Sequence, residues 1–421
     1  MNVQESNPRA GDDVHPLPAS ETGSHWSGFW AVAFALVIVM ASATLPSPLY
    51  GLYRVRDHLS TLTVTVIYAI FAAGTIGALL SVRFVVARAG RRGAMLGSVA
   101  TMMVAAGVLG AWKALPGLLI GRLITGIAVG LAAGTAIVYL IELRARANPN
   151  ASPIGAQTIG TAATVGALGL GPLIAGCLAE WVKYPLTLPY LLLVALGAIA
   201  LVGLAAAPET GKPAPPPLAA GQASGSPRSA RALAPGAAAT LAAFAANGLF
   251  AGLSGLFLAT TLHHRSHALS GATLFLVFAS GVAAQLATSG LPASRILVLG
   301  TLSMLIGLVL LVTAVRLSTP SLGLFLVSGA LIGAGAGAVF KGTTGLVLGA
   351  TAPESRLAAT SDLLIALYVG LSIPVIGAGV ALERGASAAD TVLGFAILVG
   401  LGVAVAGALL GRALKRQPQP A

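Results

Sequence analysis

Charge is scarce in this 421-residue chain: Asp, Glu, Lys and Arg together make up 9% of it, where an ordinary soluble domain carries roughly 25%. Acids are scarcest, 12 against 24 Lys and Arg. A basic surplus points to nucleic acid only when the cations cluster on one soluble face among base-reading groups; here they are scattered over short loops, which excludes that partner. The single cysteine, Cys177, has no intrachain disulfide partner, and its apolar surroundings make it a small packed residue. There is no G-x-x-x-x-G-K-[ST] loop and no pair of metal ligands at helical spacing, so nothing indicates an enzyme, a cofactor or a metal. The stretch "HHRSH", with His263, His264 and His267, reads as solvated loop surface.

What fills the chain instead is apolar: 56% of it is hydrophobic, and 53 glycines let helices approach closely in lipid. A helix needs about 20 mostly apolar residues to cross a bilayer. Twelve runs qualify, at 27–49, 61–82, 93–112, 116–142, 153–178, 187–207, 237–262, 269–289, 295–315, 321–349, 358–382 and 389–411. The stretch 211–236 contains six prolines and no periodic apolar face, and reads as an irregular linker. This predicts an all-α membrane protein of twelve transmembrane helices in two six-helix bundles. The N-terminal bundle spans 27–210, the linker 211–236 and the C-terminal bundle 237–411, with tails at 1–26 and 412–421. The first tail is acidic and lacks an apolar core, so it reads as disordered rather than as a signal peptide.

With the N-terminus inside, fifteen Lys and Arg fall on the cytoplasmic side and seven on the other, which places both termini in the cytoplasm. Trp26, Trp30, Trp112 and Trp181 sit near span ends, where amphipathic rings favour the headgroups. A shift of 207 residues lays "PGLLIGRLITGIAVGLAAG" on "GLFLVSGALIGAGAGAVFK", superposing Leu119 on Leu326, Gly126 on Gly333 and Gly130 on Gly337, which supports pseudo-symmetric halves.

Four arginines stand out in "RFVVARAGRRG" (83–93), on the cytoplasmic side between helices two and three. That stretch resembles the loop motif of the major facilitator superfamily, G-x-x-x-D-R-x-G-R-R/K: Arg88, Gly90, Arg91 and Arg92 match, while Arg83 and Ala87 replace the first glycine and the acid. "LIGRLITG" resembles the family's fourth-helix R-x-x-x-G element through Arg122 and Gly126. "GALGLGPLIAG" resembles its fifth-helix G-P-x-x-G-G element through Gly171, Pro172 and Gly176, and "PET" (208–210) follows helix six as in many members. The resemblance implies a transporter that rocks one bundle against the other around a central site, gated by the Arg88–Arg92 loop. The fifth-helix element is associated in the family with export, and it supplies a Gly-Pro bend on helix five.

An ionisable side chain at bilayer depth costs at least about 2.5–3.5 kcal/mol, so those retained there are functional candidates. Ten of the twelve acids lie in tails, loops or span ends, leaving Glu142 and Asp362; the intramembrane cations are Arg122 and Lys341. Glu142 reads as an interfacial carboxylate beside Arg144 and Arg146. Two readings stand for Asp362: a proton carrier paired with Lys341, or a first-turn acid held by the helix dipole. Lys341 can also snorkel. Gln157, Asn247, Gln285 and Tyr368 are polar groups that could face a cavity or bond between helices. The expectation is proton-coupled efflux of a small amphipathic compound by a monomer in the cytoplasmic membrane, with protons as coupling ion. The alternatives are uptake of a polar or anionic metabolite, and a non-transporting receptor or scaffold.

Overall fold

The computed structural model describes residues 19–148, 153–211, 227–352 and 355–415, and every regular element among them is helical. The first transmembrane stretch is α1 (Ala19–Thr44), a 3-10 turn (Ser47–Leu49) and α2 (Tyr50–Asp57). Then come α3 (Thr61–Ala111), α4 (Leu115–Ala147), α5 (Pro153–Trp181) and α6 (Leu188–Ala206). The second half holds α7 (Pro227–Thr260), α8 (His267–Ala287), α9 (Ala293–Arg316), α10 (Leu322–Gly349), α11 (Arg356–Glu383) and α12 (Ala388–Lys415). Serine caps set three of the starts: the hydroxyls of Ser60, Ser266 and Ser321 accept from the N–H groups of Thr63, Leu269 and Leu324.

Eleven helical stretches are long and apolar enough to cross a membrane. One of them, α3, has 51 residues and would be about 76 Å long if straight, more than twice the roughly 30 Å of a bilayer core. It reverses at Gly90, whose φ of 72° and ψ of 179° lie outside helical space. Packing on α4 shows the reversal. Along α4, Gly126, Gly130 and Gly134 meet Phe71, Thr75 and Val82 in turn, so the first arm runs parallel to α4. Gly121 meets Leu109 and the Ala128 carbonyl accepts from Ser98, so the second arm runs antiparallel. Counting α3 twice gives 11 + 1 = 12 crossings, which puts both ends of the described chain on one face.

Three boundaries differ from the hydropathy reading. Residues 83–92, read as a loop, are helical except for the turn at Gly90. Residues 227–236, read as linker, form the start of α7, where proline suits the first turn; residues 212–226 lie outside the described set. Residues 19–26, read as tail, begin α1. The four tryptophans are 44% to 73% exposed near helix ends, as an interfacial belt requires.

Glycine seams hold the bundles. A Cβ on Gly126 would press into the Phe71 carbonyl, and one on Gly333 would press into the Val277 carbonyl. Gly130 abuts Thr75 and Ala78, while Gly337 abuts Gly281. The 207-residue repeat thus has a physical content: α4 packs on the first arm of α3 as α10 packs on α8. Gly126→Ala and Gly333→Ala are each expected to lower the thermal unfolding midpoint in detergent, since overpacking costs about 1–3 kcal/mol. Gly97→Ala, with nothing within 4 Å of the added carbon, should leave it unchanged or slightly raise it.

Between the bundles, hydrogen bonds cluster on the face opposite the termini. The Leu62 N–H donates to Glu383 Oε2 at 3.4 Å, and Glu180 Oε2 accepts from the N–H of His267 at 2.7 Å and of Ala268 at 3.3 Å. Deeper, the Phe71 and Tyr368 rings meet edge to face with centroids 5.9 Å apart.

Candidate functional site

Proline creates the site's first feature. Pro46 and Pro48 have no N–H, so the helical ladder of α1 stops at Thr44 and leaves end carbonyls to be satisfied elsewhere. Arg122 on α4 supplies one of those donors. Its Nη1 donates to the Ala43 carbonyl at 2.6 Å and its Nη2 to the Tyr68 carbonyl at 3.2 Å, while the guanidinium lies 4.7 Å from the Phe71 ring centroid and 5.9 Å from that of Tyr68. The side chain is fully buried, and among the described residues its Nε has no partner and it forms no ion pair. Both rings beneath the arginine also touch the other bundle: Phe71 meets Tyr368, and a Cβ at Gly252 would lie 3.4 Å from the Tyr68 ring. Arg122 therefore sits one ring away from the inter-bundle interface.

The loop motif and "PET" form a second cluster, on the face of the termini. Glu209 accepts from the N–H of Arg91 and of Arg92, both at 3.0 Å, and so caps the second arm of α3 just after Gly90. Arg91 Nε pairs with Glu142 at 2.6 Å, and Thr210 Oγ1 donates to the same Glu142 oxygen at 2.6 Å. Arg92 donates to the Ala205 carbonyl, Tyr139 to the Pro208 carbonyl, and Arg146 to the Glu209 and Thr210 carbonyls. Arg88 is exposed. Two acids from elsewhere in the chain thus serve the arginines that Ala87 does not, and Glu142 is an ion-pair partner of the loop rather than of Arg144 or Arg146. Glu209's part was not visible from its position in sequence. Its one signal was "PET" itself.

In α5, Gly171 packs on the Ala41 carbonyl of α1 and Gly176 on the His267 carbonyl and Gly271 of α8, with Pro172 within the helix. The helix-five element is therefore the place where α5 touches both α1 and the second bundle.

Lys341 and Asp362 are not brought together. Gly333, Gly337 and Lys341 lie four residues apart on one face of α10, the face that packs on α8. Lys341 Nζ accordingly donates to the Gln285 carbonyl and to Ser289 Oγ, closing the end of α8. Asp362 is exposed, without a hydrogen bond or ion pair among the described residues, and stands three turns from Ile373, which is 61% exposed on the same face of α11. The paired switch suggested by sequence adjacency is thus not formed. Lys341→Met is expected to destabilise by about 1 kcal/mol, through loss of one capping partner, and to spare transport; a lowered midpoint with unchanged uptake by proteoliposomes would show this. Gln285 and Asn247 are buried, with Nε2 and Oδ1 respectively unpartnered, and Tyr368 is buried against Phe71. The side chain of Gln157 lies outside the described residues.

Long apolar helices packed around buried polar groups support a secondary transporter. The comparisons agree. Residues 19–210 match the family described as "Sugar (and other) transporter". The whole fold is similar to that of the nucleoside transporter NupG, with a TM-score of 0.67 at 11% identity over 92% of this chain and 99% of that one. It is also similar to a bacterial homologue of the human lysosomal transporter Spinster in an inward-facing, unoccupied conformation, with a TM-score of 0.69 at 15% identity over 94% and 99%. The same homologue, inward-facing and occupied, gives 0.65 at 14% over 93% and 98%. A sequence comparison with curated proteins gives no match. The family match over residues 19–210 agrees with the resemblance carried by the loop and helix motifs of that half, and the proteins the chain resembles are transporters rather than enzymes.

Proposed function

We propose that the protein moves a small amphipathic organic anion across the cytoplasmic membrane by alternating access, as a monomer with both termini in the cytoplasm. The moving bodies are 27–210 and 237–411. One observation carries the reading: Arg122 is the only charged side chain among the described residues that are buried, it has no carboxylate partner, and it lies one ring from the interface between the bundles. A buried cation held only by neutral carbonyls retains most of its charge for a ligand, and an anion is the ligand that such a field favours. Apolar walls suit the rest of an amphipathic molecule.

Proton-coupled efflux is the second reading, and the seating of Gly171 and Gly176 on α1 and α8 favours it as a hinge for outward release. Its best carrier, Asp362, lies on the exposed side of α11, away from the face that meets Phe71. The test is counterflow in proteoliposomes with labelled benzoate and the lipophilic cation tetraphenylphosphonium, with internal pH recorded. The proposal expects benzoate transport that is lost in Arg122→Gln and kept in Asp362→Asn. Tetraphenylphosphonium transport with proton movement that vanishes in Asp362→Asn would overturn it in favour of efflux.

A further inference from the structure

On the face opposite the termini, between the two bundles, lies a cavity of about 680 Å³, within the size range of small-molecule sites. Its wall is contributed by the 3-10 turn Ser47–Leu49, α2 and the start of α3 on one side, and by α7, α8 and the loop between them on the other. Five basic side chains line it, Arg54, His58, His264, Arg265 and His267, and no acid does. Three acids stand beside it without lining it, each with partners of its own. Glu180 accepts from Ser266 and from the His267 and Ala268 N–H groups, Asp57 pairs with Arg56, and Glu383 accepts from Leu62.

Three further lining residues are buried and carry hydroxyls with no partner: Ser47 at 7% exposure, Tyr50 at 4% and Ser270 at 4%. A buried, unsatisfied hydroxyl costs about 1–3 kcal/mol, so three around one basic cavity indicate a polar ligand that completes them. The remaining wall is apolar, with Leu52, Leu253 and Leu256 among its residues. His58 adds a backbone clue: it ends α2 in the left-handed conformation, φ 52° and ψ 38°, where glycine or asparagine would be the relaxed choice. The floor reaches toward Arg122, since Gly252 lines the cavity and borders the Tyr68 ring, while the Tyr68 carbonyl accepts from Arg122.

We propose that this cavity is a vestibule site for a small organic anion with an apolar body, its anionic group taken by Arg54, Arg265 and the histidines and its other oxygen atoms by the buried hydroxyls. The assignment rests on the anion-transport reading, and it names where that anion binds when the bundles are closed on this face.

Benzoate is the probe, and benzamide its neutral counterpart of the same shape. Binding is measured by isothermal titration calorimetry on the full-length protein in nanodiscs. Benzoate should bind saturably and benzamide at least about tenfold more weakly, as a charge-assisted bond worth about 1.5–3 kcal/mol requires. The double variant Arg54→Gln with Arg265→Gln should weaken benzoate by at least about tenfold, whereas Arg122→Gln should abolish counterflow yet leave vestibule binding within about twofold. Equal binding of benzoate and benzamide, no saturable binding of either benzoate or hexanoate, or full affinity in the double variant would each overturn the vestibule. Loss of binding in Arg122→Gln alone would also overturn it while leaving the transport reading intact. Ser270→Ala keeps the proposal testable if the double variant misfolds: it should weaken benzoate without lowering the thermal midpoint of the unliganded protein, and unchanged affinity there would overturn the assignment.

Discussion

Arg122→Ala is expected to lower the stability of the folded protein by about 3–5 kcal/mol, among the largest effects of any single substitution in the chain. The side chain is fully buried, and its removal leaves the Ala43 carbonyl at the end of α1 without its donor and takes a second donor from the Tyr68 carbonyl, which stays in the ladder of α3. The uncovered Ala43 acceptor costs about 1–3 kcal/mol, and the void that opens over the Phe71 ring adds about 2–3 kcal/mol. The lost contacts tie α4 to the broken end of α1 and to the first arm of α3, so the damage should spread as loosened packing of the N-terminal bundle. Thermal melting of detergent-solubilised protein, followed by loss of the monodisperse chromatographic peak, measures it. Arg122→Lys separates the two roles of the residue. Lysine keeps the charge, but its compact ammonium cannot hold both carbonyls in the fixed fork that a guanidinium presents. The lysine variant should therefore melt between the wild type and the alanine variant, and it should retain some benzoate counterflow where Arg122→Gln retains none. A lysine variant as inactive as the glutamine variant would mean that geometry rather than charge is what the substrate uses.

Much of this was legible in the chain. Hydropathy alone located the helices of the second half to within a few residues, except at the start of α7, because a bilayer imposes length and composition on any span. Arg122 stood out as a cation where a cation is costly. The Gly126–Gly333 and Gly130–Gly337 matches were faint as letters, yet they mark the same close approach of two helices in each half. Hydropathy misjudged 83–92 and 227–236 for one reason: it reports which residues suit lipid, and a helix can continue into water beyond the hydrocarbon. Neighbouring helices in sequence suggested pairing Lys341 with Asp362, but the face of a helix is set by its own spacing. The Gly333–Gly337–Lys341 series pointed to α8 throughout. The cavity beside His264 and His267 was beyond reach, since it depends on α2 and α7 meeting across almost 200 residues of chain.

Gly90→Ala is the second large effect, expected to prevent most of the protein from folding at the growth temperature. The reversal of α3 is concentrated at this residue, whose φ of 72° and ψ of 179° form a conformation that side-chain-bearing residues rarely adopt, at about 1–3 kcal/mol. Space adds to strain. A Cβ there would lie 2.8 Å from the Glu209 carboxyl carbon, the group that caps the N–H groups of Arg91 and Arg92. Relief of the clash therefore displaces the cap and, through Arg91, disturbs the ion pair with Glu142. Glu209→Ala removes the steric conflict but also the cap, and the φ strain at residue 90 stays. The double variant should consequently be no more stable than Gly90→Ala alone. Glu209→Gln tests the electrostatic share. Its single amide oxygen can replace one of the two acceptors, so its midpoint should fall between those of the wild type and Glu209→Ala. Because this cluster lies entirely in the N-terminal bundle, the Glu209 variants should lose stability without a change in the affinity of the distant basic cavity for benzoate. Weakened benzoate binding in a folded Glu209→Gln protein would instead show that the turn at Gly90 and the far face of the bundle are coupled.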